Sequence, residues 1–139
     1  FCREIIGFRL RHPAFLRPEF YSGKDTDRNS IPDITWCDER AQAPDWGRLE
    51  NVLAYRLDGS RAEISADRDD NDFFLMFNAA PETRQFLVLP APAGKRWHLA
   101  IDTARPSPRD ILCPGAEEPI QPPDRYRLSG RSVAVLLAR

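Results

Sequence analysis

The stretch DFFLMFN at residues 72–78 decides the fold. In an extended chain successive side chains point to opposite faces, so Phe73, Leu75 and Phe77 share one face and Phe74 and Met76 the other. Both faces are apolar. A strand of this kind is unsuited to a surface with one side in water, and it predicts a central strand covered on both sides. Working outward, the β signal continues in both directions. It begins at Ile34, and Val52–Leu57 is a short apolar run broken only by Arg56. Asp58-Gly59 follows, and both residue types tolerate positive φ, which predicts a hairpin turn. Downstream, residues 86–89, Trp97–Asp102, Arg125–Leu128 and Ser132–Ala138 are further strand candidates. Links such as PAPAGK and PSPRD, rich in Pro and Gly, separate them. Seven or so short strands without helical crossovers indicate a mostly β chain built as an antiparallel sandwich.

One segment departs from this pattern. In residues 1–12, Phe1, Ile5 and Phe8 recur at helical spacing, with Cys2, Ile6 and Leu10 on a neighbouring stripe, so the predicted helix has an unusually wide apolar face. Such a helix must pack on something. Pro13 ends it by removing a donor and biasing His12 away from the α region. The polar, turn-forming stretch SGKDTDRNSIPD at 22–33 then sets an internal boundary. Residues 1–21 form the helix and its exit, and residues 22–139 form the sandwich.

The 139 residues suit a single domain able to bury a core, and 42% hydrophobic residues argue against disorder. No apolar run approaches the roughly 20 residues needed to cross a bilayer. A net charge of -1 provides no general attraction to nucleic acid or anionic membranes. The opening Phe1-Cys2-Arg3 has neither a Met nor a signal pattern and reads as a piece of something longer. Cys2, Cys37 and Cys113 are odd in number and far apart, which disfavours both disulfides and a zinc site and suits a reduced, cytoplasmic setting.

Chemistry is hard to find in the chain. His12 and His98 are its only histidines, and a Cys-His nucleophilic pair has no local support. The common hydrolase, phosphate-loop, dinucleotide and zinc-protease motifs are missing. The acidic run DRDDND at 67–72 lacks the Gly and Glu of an EF-hand and reads as a solvated loop before a strand. No catalytic residue, metal ligand or cofactor is expected within the chain. Of the three tryptophans, Trp97 begins a strand and reads as core, whereas Trp36 and Trp46 flank the polar stretch CDERAQAPD and sit near the surface. Packing is the favoured role for these two, with stacking against a sugar ring as the alternative.

Several segments in order resemble one family: FRLRHPAF at 8–15, PDITW at 32–36, DW at 45–46, LDG at 57–59, DDNDFFLMFNA at 69–79, LP at 89–90, Trp97, IDTARP at 101–106 and GRSVAVL at 130–136. Their order and spacing resemble the C-terminal end of bacterial glycogen debranching enzymes, the isoamylase-like branch of the α-amylase superfamily of glycoside hydrolases. The resemblance spans essentially the whole chain. It implies that the catalytic Asp, Glu and Asp of a (β/α) barrel that hydrolyses α-1,6 branch linkages lie upstream, with no counterpart here. It further implies that residues 1–21 are the last barrel helix and its exit, and that the remainder is a non-catalytic Greek-key sandwich of seven or eight strands. Phe1, Ile5, Phe8 and Leu10 then face barrel and sandwich, and a chain without its barrel self-associates through the bare face. Besides the barrel, glycogen or another α-glucan is a candidate partner; Trp36 and Trp46 are its candidate contacts by their aromatic chemistry, and the resemblance itself carries no binding residue over to them. The stretch 37–45 departs from the family, in which an aromatic residue and an Asp-Gly turn are expected.

Overall fold

The protein is described by a computed structural model covering residues 1–48 and 51–139. Its strands are β1 (Ile34–Cys37), β2 (Val52–Leu57), β3 (Phe73–Asn78), β4 (Arg84–Leu87), β5 (Trp97–Asp102), β6 (Glu118–Pro119), β7 (Arg125–Leu128) and β8 (Ser132–Ala138). Six of them form one antiparallel sheet in the order β1-β2-β3-β8-β5-β6, and β4 pairs with β7 in a second. The chain leaves β3, crosses to the small sheet, returns as β5, crosses again as β7 and closes as β8 between β3 and β5. These crossings give the sandwich its expected Greek-key character.

As its two apolar faces demand, β3 is central. Phe74 and Met76 face the small sheet and pack with Phe86, Leu128 and Leu136, while Phe73 and Leu75 belong to a second core on the opposite side. That second core is closed by the helix α1 (Cys2–Arg11) and a 3-10 turn at Pro13–Phe15, with a one-turn helix α2 (Arg61–Ile64) beside them. The molecule is therefore three layers deep: helices, large sheet, small sheet.

α1 is tied to the sheet by more than apolar contact. Phe8 is buried edge-on against Phe73, and the His12 ring lies against both phenylalanines. His12 Nδ1 sits 2.8 Å from Asp70 Oδ1, and the Ala14 N–H donates to Asp70 Oδ2 at 3.1 Å. Asp72 is buried and receives the Arg56 guanidinium, whose Nε lies 3.1 Å away. Within the run at 67–72, Asp67, Arg68 and Asp69 are exposed as expected, whereas Asp70 and Asp72 are anchors, because their carboxylates meet His12 and Ala14 just after α1 and Arg56 of β2.

The expected hairpin at Asp58-Gly59 is also corrected. β2 and β3 do pair antiparallel, but residues 58–72 lie between them and carry α2. Gly59 serves a different purpose: a Cβ there would stand 2.1 Å from the Asn71 carbonyl oxygen, so only glycine permits the loop to close on itself.

Residues 22–33 are folded onto the sandwich by two buried carboxylates. Asp33 accepts hydrogen bonds from Ser22 N–H, Gly23 N–H and Arg17 Nη1 at 2.7–2.8 Å, and Glu63 accepts from the Thr26 and Asp27 amides. Burial alone would raise the Asp33 pKa, but these donors outweigh it and hold the carboxyl below its ordinary 3.8. A depressed carboxylate contributes stability that is complete above its ordinary pKa and is lost as pH falls through the folded value. Asp33→Asn is therefore expected to be less stable than wild type at pH 7 and to lose less stability on acidification below pH 4. Urea unfolding along a pH series measures this, and parallel acid limbs would contradict it. Phe74→Ala is expected to cost about 3–5 kcal/mol by the same measurement, as for other buried phenylalanines.

Candidate functional site

The helix layer covers only part of the large sheet. The register aligns Trp36, Tyr55, Leu75 and Val135 in one cross-strand row, beside the row Ile34, Leu57, Phe73 and Leu137 that α1 and its turn conceal. The first row is less well covered, and aromatic rings collect there. Trp46 stands edge-on to Trp36 at 5.7 Å between centroids, Trp36 meets Tyr55 at 4.9 Å, and Tyr55 stacks on Phe77 at 5.7 Å. Trp46 is 62% exposed and Trp36 38%, whereas Trp97 is buried with its indole N–H donated to the Leu89 carbonyl at 2.7 Å.

α1 itself is apolar on two sides. At 100° per residue Phe1, Ile5 and Phe8 fall on one stripe and Cys2, Ile6 and Leu10 on another. Phe8 is buried and Ile5 half-buried against the sheet, while Phe1, Ile6 and Leu10 are 58–64% exposed. The residues predicted for packing thus divide: Ile5 and Phe8 face the sandwich, and Phe1 and Leu10 face away. Ile6 joins the outer group, a role that its spacing from Leu10 already signalled.

Two open grooves flank Phe15 on this side. One, of about 450 Å³, runs between Ile5, Ile6, Phe8 and the sheet residues Leu75, Ile101 and Val135. The other, of about 410 Å³, lies between Arg17, Phe20 and Tyr21 on one wall and Trp36, Tyr55 and Leu57 on the other. Phe20 is 99% exposed at its mouth. Burial raises the Tyr55 phenol, and it raises Tyr21 to about 12 against the favourable charge of Arg17.

The segments that the sequence singled out have structural tasks. Asn78 is buried, donating its amide to the carbonyls of Glu82, Leu128 and Ser129 and accepting from Ala80 N–H. Asp102 accepts from Tyr126 Oη at 2.7 Å and caps the Ala104 amide at 3.0 Å, while Arg105 bridges on to Glu118 at 2.8 Å. Burial foremost, and then that bond to Asp102, raise the Tyr126 phenol. Gly130 passes so close to the Pro81 carbonyl that a Cβ would stand 2.0 Å from its oxygen. In the stretch 37–45, Asp38 accepts from the Arg40 and Gln42 amides, and Leu87 N–H donates to the Glu39 carbonyl, fastening the loop to β4.

His12 serves the α1 anchor, and His98 Nδ1 lies 2.9 Å from the Arg96 carbonyl, so each histidine is engaged in structure. Burial raises the Cys37 thiol to about 11, with the Asp38 charge adding to the effect, which leaves it a poor nucleophile. The carboxylate oxygens of Asp25, Asp27 and Glu63 lie within 4.8 Å of one another. Their hydrogen bonds go to the amides of residues 26–30, which they fold into turns.

The chain has counterparts among known proteins. A family model described as "Isoamylase, C-terminal" matches residues 33–137. The chain is 31% identical along its whole length to an isoamylase of Flavobacterium sp, of which it covers 18%. It is 24% identical, again along its whole length, to an isoamylase of Pseudomonas amyloderamosa, covering 17% of it. Over 91% of its length it is 24% identical to isoamylase 1, chloroplastic, of Arabidopsis thaliana, covering 14%. It therefore spans less than a fifth of the length of these relatives. The family model covers most of the chain, including the segments that carry Asp33, Asn78, Asp102 and the two close-approach glycines: the chain belongs to the isoamylase C-terminal domains.

Proposed function

We propose that this chain is the non-catalytic C-terminal domain of an isoamylase-type glycoside hydrolase that debranches glycogen or a related glucan at α-1,6 linkages. On this reading the hydrolysis is done by a (β/α) barrel of the same polypeptide, and the domain covers apolar barrel surface and holds the last barrel helix. The observation that carries the reading is α1, whose inner stripe is built into the sandwich core while its outer stripe of Ile6 and Leu10 stands bare. A helix apolar on both sides belongs between two bodies. Residues 1–21 are then barrel exit and 22–139 the appended domain.

The motif residues support this role, because they satisfy backbone groups in loops instead of converging on a cavity. Among the described residues no helix is long and apolar enough to cross a membrane, and three free thiols suit a reducing compartment such as the cytoplasm.

The bare face makes a direct prediction. The isolated chain is expected to self-associate, its weight-average mass in sedimentation rising with concentration. Ile6→Asp/Leu10→Asp is expected to remain monomeric with unchanged circular dichroism. A wild-type chain that stays monomeric at every concentration would contradict the assignment. The isolated chain is further expected to release no reducing ends from glycogen, and measurable release would overturn its non-catalytic role.

A further inference from the structure

We infer that the outer face of α1 docks against an acidic surface of the same polypeptide, an apolar patch whose flank carries carboxylates facing Arg3 and Arg11. The inference rests on the proposed role of α1 between two bodies and adds the chemistry of the second body. By helical spacing Arg3, Ile6 and Leu10 lie on one stripe, and Gly7 and Arg11 follow along its edge. All but Gly7 are exposed. An added Cβ on Gly7 would stand 3.1 Å from Arg11 Nη1, so that guanidinium lies back over Gly7, beside the stripe. Glycine weakens a helix interior, and here its missing side chain leaves the room that the guanidinium occupies.

These charges are unmatched among the described residues. Neither Arg3 nor Arg11 forms an ion pair with a described carboxylate. Glu4, the only acid of α1, pairs with neither and stands about 100° round the helix from Arg3. Beyond the C-terminal end of α1, Asp70 is taken by His12 and the Ala14 amide, and Asp69 accepts from the Arg61 amide. Asp67 is exposed and pairs with neither arginine, and Arg68 brings a third guanidinium to the Arg11 carbonyl at 3.5 Å. Arg9, on the other flank, donates its Nε to the Phe15 carbonyl at 3.3 Å. The face is therefore apolar at its centre and cationic along one edge. A purely apolar partner would strip water from the guanidiniums without replacing its hydrogen bonds. A second copy repeats the same residues across an isologous interface and sets cation against cation. A carboxylate-flanked patch satisfies both features, and its charged edge fixes the orientation in which the stripe seats.

The test introduces Arg3→Lys and Arg11→Lys into the full-length polypeptide and treats it with a carbodiimide, which joins an amine to a carboxylate in contact with it. Mass spectrometry then maps the joined peptides. Lys24 and Lys95 are the only other lysines of this chain, so links from the new amines stand out. Links from both positions to Asp or Glu of the preceding barrel are expected, and they are lost when Ile6→Asp/Leu10→Asp is added. Charge reversal, Arg3→Glu/Arg11→Glu, is expected to speed exchange of the α1 amides about tenfold in the full-length protein. It leaves the circular dichroism of the isolated chain unchanged, since one reversal suits the helix dipole and the other opposes it. No link, or links only within residues 1–139 or to a second copy, would overturn the inference. So would charge reversal without effect on exchange. If Ile6→Asp/Leu10→Asp speeds exchange in that case, the docking role stands and only the acidic partner falls; if it too has no effect, both fall.

Discussion

The architecture depends on one strand having no polar side. β3 carries large apolar residues on both faces, so the sheet that contains it must be covered twice. The small sheet supplies one cover through Phe86 and Leu128, and α1 with its following turn supplies the other through Phe8 and Ala14. Neither layer is an appendage. The Arg56–Asp72 ion pair is buried at one end of the β2–β3 pair, and Arg56 also reaches the Pro90 carbonyl and lies 6.0 Å from the Trp97 ring centroid. Such a pair contributes little net stability, but removing one partner alone strands a buried charge.

The two covers differ in completeness. The small-sheet side seals a core in which Phe74, Met76, Phe86, Leu128 and Leu136 are buried. On the helix side α1 spans only part of the sheet, leaving the row from Trp36 to Val135 less protected and leaving its own outer stripe in water. On the role proposed above, this asymmetry has a functional reading: one face completes the domain, and the other receives the rest of the enzyme. The polar residues that hold the loops, Asp33, Glu63, Asp70, Asn78 and Asp102, are consumed by backbone amides, carbonyls and neighbouring side chains. Carboxylates spent in this way position chain and are not arranged as paired acid and base around a cleft.

Much of this was legible in the sequence where periodicity and burial coincide. The doubly apolar 72–78 segment, the two stripes of α1 and the run Ser132–Ala138 each follow from spacing alone, because side-chain direction repeats with the backbone. What was not legible depends on long-range partners. In the acidic run 67–72, Asp70 and Asp72 look solvated until His12, Ala14 and Arg56 arrive from other elements. Asp58-Gly59 has turn chemistry, but the chain needs the glycine for its approach to Asn71. β6 is two residues long and includes a proline, too short to carry a pattern. For Trp36 and Trp46, the polar stretch between them already placed both near the surface, and the structure adds that they meet each other and Tyr55 beside the less well covered row. The family resemblance located these segments without saying why they matter; the structure assigns Asp33, Asn78 and Asp102 within them to backbone support.

The most direct test of the account is hydrogen exchange at the α1 amides, compared between the isolated chain and the full-length polypeptide that contains it. If α1 lies between two bodies, its amides exchange at least tenfold more slowly in the full-length protein, while β3 and β8 are strongly protected in both. Equal protection of α1 in the two forms would contradict the account, since the outer stripe would then have no partner.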